Sequence, residues 1–508
     1  MSFARVYSAQ PVYLDASLVT VEADLSKGLH SFSIVGLPDK AVDESRERVA
    51  ISIKNSGFDS PKHSNKRVLV SLAPADLKKE GTRFDLAIAL AYLLASGDIA
   101  FDTKHILFLG ELSLQGDLRP IHGTLSLVLY AKKNGFHTVV VPRENAAEAA
   151  LVEGVTVLPA SSLIQVTRHF NEVSQGERKR LTPQQQTTPE EVVDENFTDF
   201  GDIRGQETAK RGLLIAAAGR HNIVLYGPPG TGKTMLARAL RGILPPLSFE
   251  ESLETTAIHS VSGTLKDGAV ITTPPFRSPH HTSSHVAIVG GGSIPRPGEV
   301  TLAHRGVLFL DEFPEFERRV VDALREPLED KMVSVSRAKG SVAFPANFIL
   351  IAALNPTRER GEVRINELDK ERLKKKISGP VIDRIDMWIE VAHLDHEELR
   401  SRKGKQIRES ASVRQKVAEA RARQQKRFST TTTTNADMSV RDIDTQAQLE
   451  DTAENILEQA AKTLKLSPRS YHRTIKLART IADIEASEKI HDAHILEALT
   501  YRPKGLFD

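Results

Sequence analysis

The richest chemistry in this chain is carried by an octapeptide, GPPGTGKT, at residues 227–234. Gly227, Gly230 and Gly232 let the backbone curl so that successive N–H groups face one point, and the helix-forming KTMLARALRG that follows turns its positive N-terminal end toward the same point. Such a cradle suits a polyphosphate. Lys233 supplies a cation for β and γ phosphates and Thr234 a hydroxyl for Mg²⁺, while Pro228, Pro229, Thr231 and Met235 complete the wall of a nucleotide site. The alternative is an accidental glycine turn. The strand-like NIVLYG before the loop and the helix after it argue against that.

Two carboxylates are expected beside the loop. The run VLFLDE ends in Asp311 and Glu312, and four apolar residues followed by two acids place those acids at the carboxyl edge of a sheet. Asp311 can hold Mg²⁺ through its waters, and Glu312 can polarise an attacking water. On its own an acidic pair after a strand is usually a solvated helix start; the glycine loop changes that reading. A third run, NFILIAALN, delivers Asn355 to the same edge, where a neutral amide can position water near a γ phosphate.

Two arginines extend the set. Arg384, in ISGPVIDRIDM, lies next to a turn. It is either an arginine finger offered to a neighbouring subunit, a device that contributes roughly 10³ to 10⁵ in rate, or a partner of Asp383 or Asp386 in a local ion pair. Arg469, in SPRSYHRT, is either a lid-helix contact to γ phosphate or an exposed arginine at a helix start.

These groups need a scaffold, and the runs that carry them describe one. NIVLYG, GVLFLDE and NFILIAALN are short continuous apolar segments separated by helical stretches, the pattern of a largely parallel sheet with crossover helices, over residues 197–394. Residues 395–508 are charged and helical and read as a lid domain. Residues 1–173, with runs such as VYLDASLVTVEA, KRVLVSL and TVVVP between helical stretches, read as a separate mixed α/β domain. Between them, residues 174–196 have too few large apolar residues to offset their ordering entropy and read as a linker.

Composition bounds the rest. The chain has 508 residues, too many for one core, and 68 Lys+Arg against 66 Asp+Glu leave a formal charge of +2, so any nucleic-acid or membrane surface must be local. The absence of cysteine excludes disulfides and thiol chemistry. The N-terminus has no apolar signal-peptide stretch, and the longest apolar run, Leu86 to Ala95, falls short of the ~18 residues that span a bilayer. The expectation is a cytoplasmic protein without membrane contact.

The segments FGDIRGQETAKRGLLIAAAGRHNIVLYGPPGTGKTMLARAL, PFRSPHHTSSHVAIVGGGSIPRPGEVTLAHRGVLFLDEFPEF, ISGPVIDRIDM and SPRSYHRTIKLARTIADI together resemble the magnesium-chelatase-like branch of the AAA+ ATPases, and within it the ComM/YifB family. The resemblance covers nearly the whole chain. It implies an ATP- and Mg²⁺-dependent homohexameric ring in which Arg384 acts in trans and Arg469 serves as the second sensor arginine. It also implies a motor that drives branch migration of DNA when incoming single-stranded DNA recombines in natural transformation. The other reading is a chelatase-type remodeller of a protein complex, without DNA contact. The N-terminal segment resembles the domain shared by Lon-type proteases and related to ribosomal protein S5. Arg83 and Leu125 stand where such a protease carries its serine and lysine, which predicts no protease activity. Family members commonly carry a cysteine-bearing insertion after the sensor asparagine, and NPTRERGEVRINELDKERLKKK has no thiol.

Two further features bear on the substrate. KMVSVSRAKGSVAFPANF reads as a β-hairpin with a basic tip. In ring ATPases of this branch such a hairpin points into the pore, making Arg337 and Lys339 candidate contacts to DNA phosphates; the alternative is a surface hairpin with a solubilising lysine. His280, His281, His285 and His304 raise the question of a metal, against which stands the lack of acidic or thiol ligands among them.

Overall fold

The computed structural model describes residues 2–29, 31–61, 66–171, 180–188, 197–265, 270–292, 295–337, 340–355, 371, 373, 376–393 and 408–503. The chain forms two units, Met1–Glu190 with Leu253–Ile271, and Glu191–Ser252 with Thr272–Asp508.

The first unit is built on a seven-stranded sheet in the order Ser31–Val35, Lys66–Ala73, Asp15–Lys27, Phe3–Val12, Ile106–Phe108, Thr138–Pro142 and Thr156–Ala160. Asp15–Lys27 is antiparallel to both of its neighbours, and the remaining pairings are parallel. Alternation along Asp15–Lys27 sends Val19, Val21, Ala23 and Leu25 to one buried face. The helix Asp85–Ser96 is apolar nearly all round and correspondingly buried on almost every side. Part of the expected linker pairs with this unit. Gln184 N–H donates to Val157 O (2.9 Å) and Thr187 N–H to Ala150 O (3.1 Å), so residues 180–188 give the outermost strand's backbone a partner.

The expected boundaries of the core, 197–394, included a stretch that belongs to the first unit. Ala257 is buried in the cluster around Leu125 and Val128, with Leu253 and Val270 packed against it. Ser260 Oγ accepts from Gly123 N–H (3.0 Å) and donates to the Glu148 carboxyl, which also accepts from Leu125 N–H (3.0 Å). Burial pushes the Glu148 carboxyl up, against the pull of those donors.

The second unit holds a five-stranded, wholly parallel sheet in the order Phe276–Arg277, Val307–Leu310, Ile349–Leu354, Ile223–Tyr226 and Met387–Glu390. Every residue of Val307–Leu310, Ile349–Leu354 and Ile223–Tyr226 is buried, as expected for strands covered on both faces. The C-terminal helices share one apolar core with this sheet: Val417, Leu457, Leu477, Ile481 and Ile495 join Leu213, Leu236 and Ile389. The helical segment expected as a separate lid is therefore packed into the same unit. Buried Asp483 ties three parts of it together, bonded to Arg427, Arg479 (2.9 Å) and the Asn435 amide (2.7 Å). No helix among the described residues is long and apolar enough to cross a membrane.

Candidate active site

At the head of the parallel sheet, strand Ile223–Tyr226 runs into the glycine loop and the loop into helix Lys233–Ile243. Gly227 N–H donates to Leu354 O (3.3 Å), and a Cβ at Gly227 would lie 2.2 Å from Val391 O, so no other residue fits between these two strand ends. Gly230 and Gly232 have φ of +81° and +91°, a region glycine enters without penalty. The amphipathic pattern of the helix turns Leu236, Ala237 and Leu240 into the core and leaves Lys233 at its first position, under the loop. Its Nζ donates to Gly227 O (2.9 Å) and Pro228 O (2.7 Å). Burial lowers the pKa of this ammonium, with Asp311 opposing the shift.

Thr234 Oγ1 donates to Asp311 Oδ2 at 2.9 Å, joining the loop to the end of strand Val307–Leu310. The other Asp311 oxygen accepts from Glu312 N–H (2.9 Å). Glu312 adopts a left-handed conformation (φ +50°) that costs a non-glycine residue roughly 1–2 kcal/mol. Its exposed carboxylate is 3.3 Å from His281 Nδ1. The hydroxyl and carboxylate form an all-oxygen donor pair of the kind Mg²⁺ takes together with phosphate oxygens and water, and the buried ammonium beside them matches a phosphate. By donor chemistry, Mg²⁺ and a nucleotide fit. Asn355 directly follows Leu354, whose carbonyl bonds Gly227, and it is exposed at the same edge.

Beside the loop is a cavity of about 250 Å³ lined by Ile203, Gln206, Gly232, Met235, Leu236 and His393, among others. Met235 was expected at the nucleotide; Ile203, Gln206 and His393 come from distant parts of the chain, and no local pattern points to them. The His280 and His281 rings lie 4.2 Å apart, centroid to centroid. His280 bonds Thr282 Oγ1 (2.8 Å), His281 faces Glu312, and His304 Nδ1 accepts from Asn347 N–H (3.1 Å). Among the described residues no group of three or more His, Asp or Glu is arranged to hold a metal ion.

The two arginines are found together, away from the loop. Arg384 pairs with Glu329, not with Asp383 or Asp386, and donates to Pro380 O (2.6 Å). Arg469 lies in the first turn of helix Pro468–Ile484, set by the Ser467 cap and Pro468, and its Nη2 is 2.9 Å from the other Glu329 oxygen. Both line a cavity of about 400 Å³ that shares no residue with the cavity at the glycine loop. Arg469, expected as a lid-helix contact to γ phosphate, here meets Glu329 from the capped first turn of its helix. Asp386 anchors the Arg384 segment by accepting from Asn222 N–H (3.0 Å), while the Asn222 amide donates to Arg384 O (3.4 Å). Burial pushes the Asp386 carboxyl up, but His221, Arg473 and the Asn222 N–H outweigh it and hold the group down to about 2.

The hairpin has the expected form. Met332–Arg337 and Gly340–Pro345 are antiparallel with Arg337 opposite Gly340, and Ala338 lies outside the described residues. Lys339 and the Arg337 side chain lie outside the described residues.

Comparison with known proteins agrees with this architecture. Three family models match: "Magnesium chelatase, subunit ChlI" over residues 199–399, "Subunit ChlI of Mg-chelatase" over 21–145, and "Magnesium chelatase, subunit ChlI C-terminal" over 408–502. Competence protein ComM of Haemophilus influenzae is 42% identical over 510 residues, covering 99% of this chain and 98% of that protein. The uncharacterised protein YifB of Escherichia coli is 41% identical, covering 99% of this chain and 97% of that protein. The magnesium-chelatase 38 kDa subunit of Rhodobacter capsulatus is 31% identical over 201 residues, 36% of this chain and 56% of that subunit. With a parallel-sheet core headed by a glycine loop and near-complete coverage by these relatives, the chain belongs to the ComM/YifB family of magnesium-chelatase-like AAA+ proteins.

Proposed function

We propose that this protein binds and hydrolyses ATP with Mg²⁺ as a homohexameric ring and uses the energy to move DNA, promoting branch migration when single-stranded DNA is recombined. The observation that carries the ATPase reading is the Thr234–Asp311 bond beside the buried Lys233 ammonium, which gathers a metal's ligands and a phosphate's cation at one sheet edge. Thr234 and Asp311 would hold Mg²⁺, and bound there it would neutralise charge on the phosphate oxygens. Lys233 releases its loop carbonyls to take phosphate oxygens, and the glycine-loop N–H groups take the rest. Glu312 accepts the proton of the attacking water that Asn355 orients, as the bond from γ phosphorus to its bridging oxygen breaks. Arg384 serves the nucleotide of the neighbouring subunit. That role suits an arginine lining a cavity separate from its own glycine loop.

The DNA reading is supported by 42% identity over nearly the full chain to a protein named for competence, and by the antiparallel strands Met332–Arg337 and Gly340–Pro345, between which the sequence carries Lys339. A chelatase-type remodeller without DNA contact is the second reading, favoured by the three chelatase family matches. ATPase rate with and without single-stranded and forked DNA, repeated with Lys339→Ala, separates the two. Stimulation that vanishes in the variant supports the DNA motor; indifference to DNA favours the remodeller. Arg384→Ala should bind nucleotide yet hydrolyse it slowly, and mixing it with Lys233→Ala protein should restore activity if the arginine acts across a subunit boundary.

A further inference from the structure

Glu329 has no part in the function proposed so far, yet it is the meeting point of the two arginines that matter most to it. It sits on the short helix Arg325–Asp330, immediately before the hairpin. One carboxylate oxygen contacts Arg384 Nη2, 55 residues on, and the other is 2.9 Å from Arg469 Nη2, 140 residues on. Among the described residues no other carboxylate forms an ion pair with either arginine.

The surroundings make that carboxylate consequential. The cavity the two arginines line also presents Lys331, Arg473 and Lys476 together with Asp383, Asp386 and Asp437, of which Asp386 pairs with Arg473 and Asp437 with Lys331. Like-charged guanidiniums placed side by side repel, and each long side chain has rotamer freedom that would let it swing apart from the other. A carboxylate with one oxygen for each opposes both tendencies, since charge-assisted bonds are strong and directional. Arg469 and Glu329 are each about half exposed while the Arg384 side chain is only 14% exposed, so an incoming anion reaches the joined head from its Arg469 side.

We infer that Glu329 is a positioning residue that yokes Arg384 and Arg469 into a single cationic head, presented to the polyphosphate of a neighbouring copy's nucleotide. The inference rests on the reading of Arg384 as acting across the subunit boundary. Loss of the yoke leaves a subunit's own nucleotide site intact and mispositions what it offers its neighbour. Misplacement of about 1 Å in a catalytic group can cost 10²-fold, so Glu329→Ala should lower kcat by roughly 10- to 100-fold. The affinity of its own site for MgADP should stay within twofold of the parent's.

The test compares full-length Glu329→Ala, Glu329→Gln and Arg384→Ala. The readouts are steady-state ATPase kinetics, MgADP titration, and kinetics after mixing each variant with Lys233→Ala protein. Glu329→Gln keeps the side chain's size and removes its charge, so it guards against a folding defect. The expected result is a fall in kcat for both Glu329 variants, unchanged MgADP affinity, and recovery on mixing, because Lys233→Ala subunits contribute intact yoked arginines. A second check is a double-mutant cycle with Arg469→Ala, in which the effects of Glu329→Ala and Arg469→Ala should fall well short of additive. If Arg384→Ala is impaired and rescued but Glu329→Gln turns over at the parent rate, the yoke is wrong and the finger stands. Absence of recovery on mixing for the Glu329 variants, with Arg384→Ala rescued, also overturns it. If Arg384→Ala itself hydrolyses normally, the finger reading and the yoke fall together.

Discussion

Replacing Asp386 by Asn removes one negative charge and almost no volume. Its carboxylate accepts from Asn222 N–H (3.0 Å) and faces His221 Nδ1 at 3.5 Å and Arg473 Nε at 3.7 Å, with 17% of the side chain exposed. Its pKa falls from the ordinary 3.8 to about 2, and at about 1.4 kcal/mol per pH unit the charged form contributes about 2 kcal/mol to the second unit's stability. Because the folded value is depressed, this contribution is complete above pH 3.8 and is lost as pH falls through about 2. The single tryptophan, Trp388, lies two residues away in strand Met387–Glu390 and is 2% exposed, so its fluorescence reports unfolding of this unit alone. Urea unfolding of Asp386→Asn should show a loss of about 2 kcal/mol or somewhat more at neutral pH, the excess arising from Arg473 left without its counter-charge. The gap to the parent should be no smaller at pH 5 than at pH 7. A loss under about 0.5 kcal/mol, the scatter of ordinary surface changes, would refute the pairing; so would a gap that narrows between pH 7 and pH 5. Since Asn222 also holds Arg384 O, the variant should lose ATPase kcat as well.

Three other outcomes follow from the geometry. Glu312→Gln should retain MgATP in a filter-binding assay while hydrolysing it at least about 100-fold more slowly, and sustained turnover would remove Glu312 from its role. Gly227→Ala should yield protein that fails to bind nucleotide in titration, because the added Cβ falls 2.2 Å from Val391 O; normal affinity would mean that the strand ends can part. Asp483→Asn should destabilise the second unit by about 3 kcal/mol or more, leaving buried Arg479 and partly buried Arg427 uncompensated, and a thermal melt unchanged from the parent's would disprove that network's importance.

Much of the catalytic edge could be read without coordinates because its signals are local. A strand buried on both faces is a short continuous apolar run, so Ile223–Tyr226, Val307–Leu310 and Ile349–Leu354 announce themselves, and whatever directly follows them lies at one edge of the sheet. That is why Lys233, Thr234, Asp311 and Asn355 could be grouped from spacing. The hairpin strands are legible for the same reason, being two alternating runs close together in the sequence.

What tertiary structure alone decided concerns partners far apart in the chain. Residues 253–271 have the same helical look as their neighbours, and only packing shows that Ala257 enters the first unit's core. The polar stretch 180–188 reads as free linker until an edge strand is found in need of its N–H groups. Arg384 has two acids beside it in sequence and takes neither, and Arg469 shares its partner, because Glu329 meets both from a third segment. Periodicity and propensity act over a few residues, whereas an ion pair between residues 55 or 140 apart depends on how finished elements pack; that is a property of the assembled fold and of no stretch of sequence within it.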